Sequence, residues 1–198
     1  MRQYGSMKDK TGRSRLFISA EIEPHIKDIL LSCQDTMRLS CGEYGFRYIP
    51  EENMHLTLHF LGETPEHRIR DICELIEESC SHFTQGSYAV THSGSFNKKG
   101  DPRVVWAGIH DTDRTITGVY RSLQRTLLAY GIQTERRKYV PHLTIAYVTK
   151  PPSALLLQLI PQLIRTETNG RLATISLKKS VLKNDGAVHT SLFEYTLQ

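Results

Sequence analysis

The spacing of apolar residues along this chain switches between two periods, which predict strands and helices in turn. The run "RLFISAEI" at residues 15–22 is short and apolar, which is typical of a strand. In the following "EPHIKDILLSCQDTMRLSCG", apolar residues recur every three or four positions between Pro24 and Gly42, which predicts a helix. The run "MHLTLHFLG" at residues 54–62 then predicts a second strand.

The second half of the chain repeats this order of strand, helix and strand. "RVVWAGIH" at 103–110 predicts a strand, "DTDRTITGVYRSLQRTLLAYG" predicts a helix closed by Gly131, and "VPHLTIAYV" at 140–148 predicts a strand. The helical period predicts an inner face made of Ile116, Val119, Tyr120, Leu123, Leu127 and Tyr130. The chain therefore contains two similar units.

Each unit carries one copy of "HLT" at an equivalent place. His55 lies 40 positions after Arg15, and His142 lies 39 positions after Arg103. The two histidines are 87 positions apart. Packing alone gives no reason to repeat the same polar pair at equivalent positions, so the repeat indicates a shared function.

The remaining segments predict the overall fold. "PEHRIRDICELIEESCSHF" at 65–83 predicts an amphipathic helix, and "PPSALLLQLIPQLIR" predicts a shorter helix limited by Pro161. "SYAVTHSGSF" leads into an "NKKGDP" turn, and "NDGA" between "LATISLKKSVLK" and "HTSLFEYTL" is a hairpin signal. Hairpins favour antiparallel pairing. We therefore predict an α+β fold of two pseudo-symmetric lobes of antiparallel sheet, with helices on the outer faces and a central cleft.

The N-terminus and the composition narrow the class of protein. Residues 1–13 are basic and polar and lack the apolar core of a secretory signal. They predict a disordered leader, and residues 14–198 are expected to form a single bilobal domain of a cytoplasmic protein with no membrane span. A net charge of +4 suits an anionic ligand. The four cysteines form no C-x-x-C pair and are expected to be reduced.

Strand alternation predicts which residues of the two "HLT" runs share a face. Successive side chains of a strand point to opposite sides. In "HLTLHF" this predicts one face of His55, Thr57 and His59 and another of Leu56, Leu58 and Phe60. In "HLTIAY" it predicts one face of His142 and Thr144 and another of Leu143, Ile145 and Tyr147. If a pseudo-two-fold axis relates the lobes, the two polar faces meet in the cleft.

The residues themselves leave three interpretations of these histidines open. The first is structural, with each imidazole hydrogen-bonded in place, which is the default for a single histidine. The second is a metal site, but His55 and His59 on one strand would lie about 13 Å apart at roughly 3.3 Å per residue. That is too far for one Zn²⁺ with bonds of about 2.0–2.1 Å. The third is acid–base catalysis on a phosphate, with threonine hydroxyls bound to the phosphoryl oxygens.

The paired motifs His55-Leu56-Thr57-Leu58 and His142-Leu143-Thr144-Ile145 resemble the H-x-T-x motifs of the 2H phosphoesterase superfamily. Within it, the chain resembles the RNA 2′,3′-cyclic phosphodiesterases, also called 2′-5′ RNA ligases. The stretches "RLFISAEI", "ENMHLTLHFLGE", "DPRVVWAGI" and "YVPHLTIAYV" support this, and the resemblance covers residues 14–198.

The resemblance implies a bilobal antiparallel fold and an enzyme that needs no metal or other cofactor. It implies hydrolysis of a 2′,3′-cyclic phosphate, on RNA termini or on nucleotides, to a 2′-phosphomonoester, with 2′-5′ ligation as the reverse reaction. It assigns His55 as the proton donor and His142 as the proton acceptor, and Thr57 and Thr144 as phosphate-binding residues. The residues around the two histidines do not themselves distinguish the proton donor from the proton acceptor.

One position departs from the family pattern. Many relatives have arginine where this chain has Tyr147, which is itself a candidate substrate contact. Two alternatives are open: a phosphate or ribose contact is lost, or another cation replaces the arginine. The candidates just before the second motif are Arg136, Arg137 and Lys138, for which a solvated basic loop is an equally good interpretation. The same two interpretations apply to Lys98, Lys99 and Arg103.

Several aromatic residues and one further histidine are weaker candidates. Tyr48, Phe96 and Tyr139 are candidates for base stacking, although core packing is favoured for each. Phe60 is expected in the core, and His59 is expected at the rim of the cleft.

Alternative functions remain open from the sequence. One is an RNA-end binding module with little catalysis. Another is a 2H phosphodiesterase acting on 2′-5′ oligonucleotides or on an ADP-ribose cyclic phosphate. A monomer is expected, because the internal repeat already supplies both sides of the site.

Overall fold

The structure, a computed structural model, describes residues 12–135, 138–183 and 186–198. In these residues the strands are β1 (Arg13–Ala20), β2 (Phe46–Tyr48), β3 (Leu56–Pro65), β4 (Gly86–Lys98), β5 (Asp101–Asp111), β6 (His142–Val148), β7 (Thr168–Leu172), β8 (Thr174–Lys183) and β9 (Gly186–Thr196). The helices are α1 (Pro24–Cys41), α2 (Ile69–Cys80), α3 (Thr115–Ala129) and α4 (Ala154–Leu159). Most of the predicted leader lies outside the described residues, and β1 begins at Arg13.

The helices form largely where the apolar period predicts them. Helix α1 begins at Pro24 and ends before Gly42, whose φ of 75° suits a residue without a Cβ and whose N–H donates to the carbonyl of Arg38. Helix α3 buries five of its six predicted residues. Tyr130 is the exception, with 55% exposure, because α3 ends at Ala129.

The two strands that the sequence did not predict have weak local signals. The described part of β2 contains only three residues, and β7 reads "TNGRL", with little apolar character. Both form because a longer neighbour supplies hydrogen bonds: β2 pairs with β6, and β7 pairs with β4. Among the described residues, no helix is both long and apolar enough to cross a membrane.

The strands form one antiparallel sheet in the order β7-β4-β5-β6-β3-β1-β8-β9, with β2 added beside β6. Strands β1, β3, β8 and β9 make one lobe, and β2, β4, β5, β6 and β7 make the other. The lobes meet between β3 and β6, where Leu56 pairs with Leu143 as the one register pair in the described chain. This narrow junction, between the two "HLT" runs, leaves a cleft on one side of the sheet. The predicted α+β class and bilobal antiparallel architecture are confirmed.

The core lies on the side of the sheet away from the cleft. Helices α2 and α3 pack on each other, and α1 packs against β6 and α4. Leu56, Leu143 and Ile145 are fully buried among these helices. Each fully buried side chain of this size stabilises the fold by about 1.5–3 kcal/mol. The apolar residues of both motif strands therefore hold the polar face in position.

Both motif strands contain a β-bulge directly after the threonine. Between β1 and β3, Ser19 pairs with Thr57 and Ile18 pairs with His59, so Leu58 is the extra residue. A bulge inserts one residue into the ladder and thereby inverts the side-chain alternation beyond it. His59 therefore turns into the core, and its neighbour Phe60 turns to the cleft.

The second strand shows the equivalent irregularity. Between β5 and β6, Trp106 pairs with Thr144 and Val105 pairs with Ala146, so Ile145 is the extra residue. Its carbonyl oxygen faces β2 and accepts hydrogen bonds from the side chain of Gln34 on α1 at 3.0 Å and from the backbone of Ile49, just after β2, at 3.1 Å. Groups from outside β5 and β6 thus satisfy the carbonyl of the bulged residue.

Because of these two bulges, side chains beyond the motifs do not lie on the faces that strand alternation predicts. Phe60, expected in the core, is 53% exposed, and Tyr147, expected opposite His142, is 36% exposed and lines the cleft. His59, expected at the rim, is 2% exposed. Phe60 and Tyr147 occupy the same position in the two repeats, five residues after each candidate histidine.

Candidate active site

The cleft between the lobes has a volume of about 920 Å³ and is lined by both repeats. His55 and Thr57 line it from the first lobe, and His142 and Thr144 line it from the second. The register pair of Leu56 and Leu143 explains how they meet. Counted from this pair, His55 and Thr144 are the next residues on one side of the junction, and Thr57 and His142 are the next residues on the other.

His55 is held by two hydrogen bonds. Its Nδ1 donates to the carbonyl of Asn53 at 2.7 Å, and its Nε2 accepts from the hydroxyl of Thr57 at 3.1 Å. Because a carbonyl only accepts, the proton of the neutral ring is assigned to Nδ1. The Nε2 lone pair therefore faces the cleft beside a hydroxyl.

His142 is held in an equivalent way. Its Nδ1 donates to the carbonyl of Val140 at 2.7 Å, again two residues earlier in the chain. The edge of the Phe96 ring lies against it, with ring centroids 4.7 Å apart. Both cleft-lining imidazoles are thus assigned the same tautomer, with Nδ1–H bound to a backbone carbonyl and the lone pair on Nε2.

The surroundings of the two histidines differ. His55 contacts Phe17 and His189, with ring centroids 4.9 Å and 5.5 Å away. Burial, followed by the positive charges of Lys178 and His189, lowers the pKa of His55 to about 4. Burial also lowers the pKa of His142, but there the Val140 carbonyl and the carboxylate of Glu135 act in the opposite direction. Both rings are therefore neutral at pH 7 in the ligand-free protein.

The family is established by similarity to known proteins. Residues 21–106 match the family described as LigT like Phosphoesterase. A curated relative from Thermotoga maritima, named RNA 2′,3′-cyclic phosphodiesterase, is 36% identical over 138 residues, which cover 70% of this chain and 72% of the relative. The chain belongs to the LigT-like phosphoesterases. The predicted membership of the 2H phosphoesterase superfamily and the prediction of an enzyme are thereby confirmed.

Other relatives extend the match over nearly the whole LigT-like chain. A protein of the same name from Methanothermobacter thermautotrophicus is 29% identical over 185 residues, 92% of this chain and 98% of the relative. The structure of TT0787 from Thermus thermophilus superposes with a TM-score of 0.74 at 24% identity, covering 92% of this chain and 97% of that one. E. coli LigT complexed with 3′-AMP superposes with a TM-score of 0.71 at 18% identity, covering 93% and 98%.

His59 has a structural role in this LigT-like fold. Its Nε2 donates to the carbonyl of Tyr120 at 2.9 Å, and its ring stacks on the Tyr120 ring at 4.3 Å. Tyr139 stacks on Tyr120 at 3.9 Å, and its hydroxyl donates to the carbonyl of Thr57 at 3.3 Å. This chain of contacts links α3 to the first motif. His59 is buried and its Nε2 is bound to the Tyr120 carbonyl, which supports a packing role rather than a catalytic one.

The remaining predicted residues divide between cleft and surface. Tyr147, Tyr48, Phe96, Tyr139 and Lys138 line the cleft, whereas Lys98, Lys99 and Arg103 do not. Phe96 is 36% exposed, so the preference for core packing is wrong there. Arg136 and Arg137 lie outside the described residues, and their proposed role stays a prediction.

Sequence reasoning missed the residues around His55. Phe17, His189 and Lys178 come from β1, β9 and β8. Lys178 is buried and pairs with the carboxylate of Glu21 at 2.7 Å. The only sequence signal was a lysine and a histidine in two alternating strands, and nothing local ties either one to the "HLT" motif.

Acidification is expected to destabilise this phosphoesterase. The folded state holds the pKa of His55 at about 4 against an ordinary 6.5, so the unfolded state binds more protons below pH 6.5. The contribution of neutral His55 to the free energy of unfolding is therefore complete above about pH 6.5 and decreases as the pH drops toward 4. We expect the free energy of unfolding to fall by about 1–2 kcal/mol from this group between pH 7 and pH 5, measured by urea titration.

Two variants test the source of this pH dependence. His55→Gln should flatten the decline in unfolding free energy, because glutamine does not titrate in this range. His82→Gln, which replaces an exposed histidine outside the cleft, should keep the wild-type slope. An unchanged slope in His55→Gln would refute the assignment.

Proposed function

We propose that this LigT-like phosphoesterase hydrolyses the 2′,3′-cyclic phosphate of RNA ends or nucleotides to a 2′-phosphomonoester, by two-histidine acid–base catalysis without a metal. The observation that carries the proposal is that two His–Thr pairs flank the Leu56–Leu143 junction and line one cleft, with Nδ1 of both histidines bound to a backbone carbonyl. Relatives named RNA 2′,3′-cyclic phosphodiesterase support the choice of substrate.

The proposed mechanism divides the work between the two rings. Neutral His142 accepts a proton from water through Nε2 as the water oxygen bonds to phosphorus. The bond from phosphorus to the ribose 3′ oxygen breaks, and protonated His55 donates a proton to that oxygen. The hydroxyls of Thr57 and Thr144 donate hydrogen bonds to the phosphoryl oxygens, on which negative charge grows in the transition state. One water is consumed, and the two rings exchange protonation states.

The proposed donor role of His55 requires bound substrate. In the ligand-free protein, burial and Lys178 disfavour the imidazolium form of His55. A phosphate anion beside Nε2 stabilises the charged ring and raises its pKa, as any close opposite charge does. Binding also has to displace the hydroxyl of Thr57 from Nε2, which frees that hydroxyl for a phosphoryl oxygen. Substrate binding and donor activation are therefore coupled.

A side-by-side assay tests the substrate and the product. We expect turnover of a nucleoside 2′,3′-cyclic phosphate and of an RNA ending in the same group, with the 2′-phosphate as the sole product. Excess EDTA should leave the rate unchanged, because acid and base are both protein groups. Product identity is read by phosphorus NMR against 2′- and 3′-nucleotide standards. A 3′-phosphate product, or inactivation by EDTA that added metal reverses, would contradict the mechanism.

The same assay separates the alternative functions. Cleavage of a 2′-5′ oligonucleotide or of an ADP-ribose cyclic phosphate in preference to the RNA cyclic phosphate would identify that compound as the preferred substrate. Salt-dependent RNA binding without turnover would favour a binding module. The fixed tautomers argue for catalysis, because binding alone does not require both Nε2 atoms to be free of backbone partners. The reverse ligation is tested by mixing an RNA that has a free 5′ hydroxyl with the cyclic phosphate at high concentration. A 2′-5′ phosphodiester then forms as the bond from phosphorus to the 3′ oxygen breaks.

A further inference from the structure

Arg47 lies at one end of the cleft, outside the His–Thr centre. It is the central residue of β2 and pairs with Tyr147 on β6. Its guanidinium carbon lies 4.7 Å from the centroid of the Tyr147 ring, and both residues line the cleft. Arg47 is exposed and makes no ion pair with any residue in the described part of the chain. An aromatic ring thus holds an arginine that has no carboxylate partner among those residues.

The two motif strands place this pair away from the reacting phosphate. Tyr147 lies three residues beyond Thr144, but the bulge at Ile145 leaves only two ladder positions between them, which corresponds to about 7 Å along the strand. Phe60 lies the same three residues beyond Thr57, and the two strands run in opposite directions from their junction. The cleft therefore has an aromatic residue at each end. At the Phe60 end the ring faces Phe17, at a centroid distance of 6.2 Å, whereas at the Tyr147 end it carries a cation.

The cleft is large for a site that binds one small ligand. Sites for drug-sized ligands have volumes of roughly 300–1,000 Å³, and a mononucleotide is a ligand of that size. The volume of about 920 Å³ lies at the upper end of this range. The lining extends from the His–Thr centre to Arg47 and Tyr147.

We propose that Arg47, held by Tyr147, forms a subsite for the phosphodiester on the 5′ side of the terminal nucleotide of an RNA. This rests on the proposed function and adds to it a preference for RNA ends over free mononucleotides. A planar guanidinium suits bidentate contact with phosphate oxygens. Stacking on Tyr147 keeps the arginine in one place, so less side-chain entropy is lost on binding.

The test compares two substrates that share their reacting group. One is a nucleoside 2′,3′-cyclic phosphate with a free 5′ hydroxyl, and the other is a dinucleotide that ends in the same nucleoside cyclic phosphate. We expect Arg47→Gln to lower the ratio of kcat/KM, dinucleotide over mononucleotide, by about tenfold, mainly through KM. The dependence of log(kcat/KM) for the dinucleotide on log salt concentration should become shallower by roughly 0.7.

Matched variants identify the cause. Arg70→Gln removes the same charge from the outer surface of α2 and should keep the wild-type ratio. Tyr147→Ala should lower the ratio, and Tyr147→Phe, which keeps the ring under the guanidinium, should lower it less. Thermal melting of each variant checks that the fold is intact.

Each outcome decides the proposal. Equal loss on both substrates would place Arg47 at the reacting phosphate, and no loss on either substrate would show that Arg47 makes no contact. Both results leave the ratio unchanged and overturn the subsite. If the wild-type protein turns over neither substrate, the proposed function fails. In that case the subsite is tested separately, by measuring equilibrium binding of a short RNA oligonucleotide and of a mononucleotide. Arg47→Gln must weaken binding of the oligonucleotide more than binding of the mononucleotide. Equal weakening of both overturns the subsite.

Discussion

Replacing either His55 or His142 with alanine is expected to lower kcat for a nucleoside 2′,3′-cyclic phosphate by roughly 10²–10⁴-fold. One positioned acid or base contributes about that factor to a proton-transfer step. Because the two rings act on one transition state, the double variant should lose much less than the product of the single losses. The measurement is steady-state kinetics at pH 7, with thermal melting of each variant to confirm folding.

The pH profile distinguishes the two roles. The donor must be protonated and the acceptor neutral, so the wild-type rate should fall on both sides of an optimum. His55→Gln should remove the decline on the alkaline side, and His142→Gln should remove the decline on the acid side. The opposite pattern would exchange the roles and keep the mechanism. His82→Ala provides the control for loss of an exposed imidazole. Wild-type turnover in either cleft variant would refute two-histidine catalysis.

Replacing Thr57 or Thr144 with valine is expected to lower kcat by roughly 10²-fold. Valine keeps the shape but removes the hydroxyl that we propose donates to a phosphoryl oxygen, and loss of one such donor costs about 10²–10³ in other enzymes. Because the interaction strengthens with the charge of the transition state, the loss should appear in kcat more than in KM. Initial rates over a range of substrate concentrations separate the two parameters.

The serine variants are the matched controls for this prediction. Thr57→Ser and Thr144→Ser keep the hydroxyl and should retain most of the activity. A loss in the serine variants equal to that in the valine variants would assign the effect to packing of the methyl group. Thr57→Val has a second consequence, because it also removes the hydroxyl bound to Nε2 of His55. The alkaline limb of its pH profile, which reports the proton donor His55, should therefore differ from that of Thr144→Val.

The sequence predicted the two His–Thr pairs because their signal is local and repeated. Each "HLT" follows a strand and a helix of matching length, and alternation places the histidine and threonine of one motif on the same face. The structure confirms the strands, the antiparallel lobes and the buried leucines between the polar residues. The helix limits were also readable, since Pro24 and Gly42 bound α1.

The sequence did not predict what lies just beyond the motifs. Alternation extended past Thr57 and Thr144 gives the wrong faces for His59, Phe60 and Tyr147, because a bulge follows each threonine. A bulge depends on how the neighbouring strand pairs, and β1 and β5 are distant in sequence. The carbonyl of Ile145 needs Gln34 on α1 as a partner, which no local pattern indicates.

The sequence by itself thus determined the two repeated units, the α+β class, the family and the four residues that form the centre of the cleft. Only the tertiary structure decided which residues surround that centre. The cation of Lys178 beside His55, the ring of Phe96 beside His142, and Arg47 above Tyr147 all arrive from other strands. Period-two alternation is a property of one strand. The charged groups around a site, and the side chains that face it, depend on strand pairing between distant segments. That pairing is established only when the sheet forms.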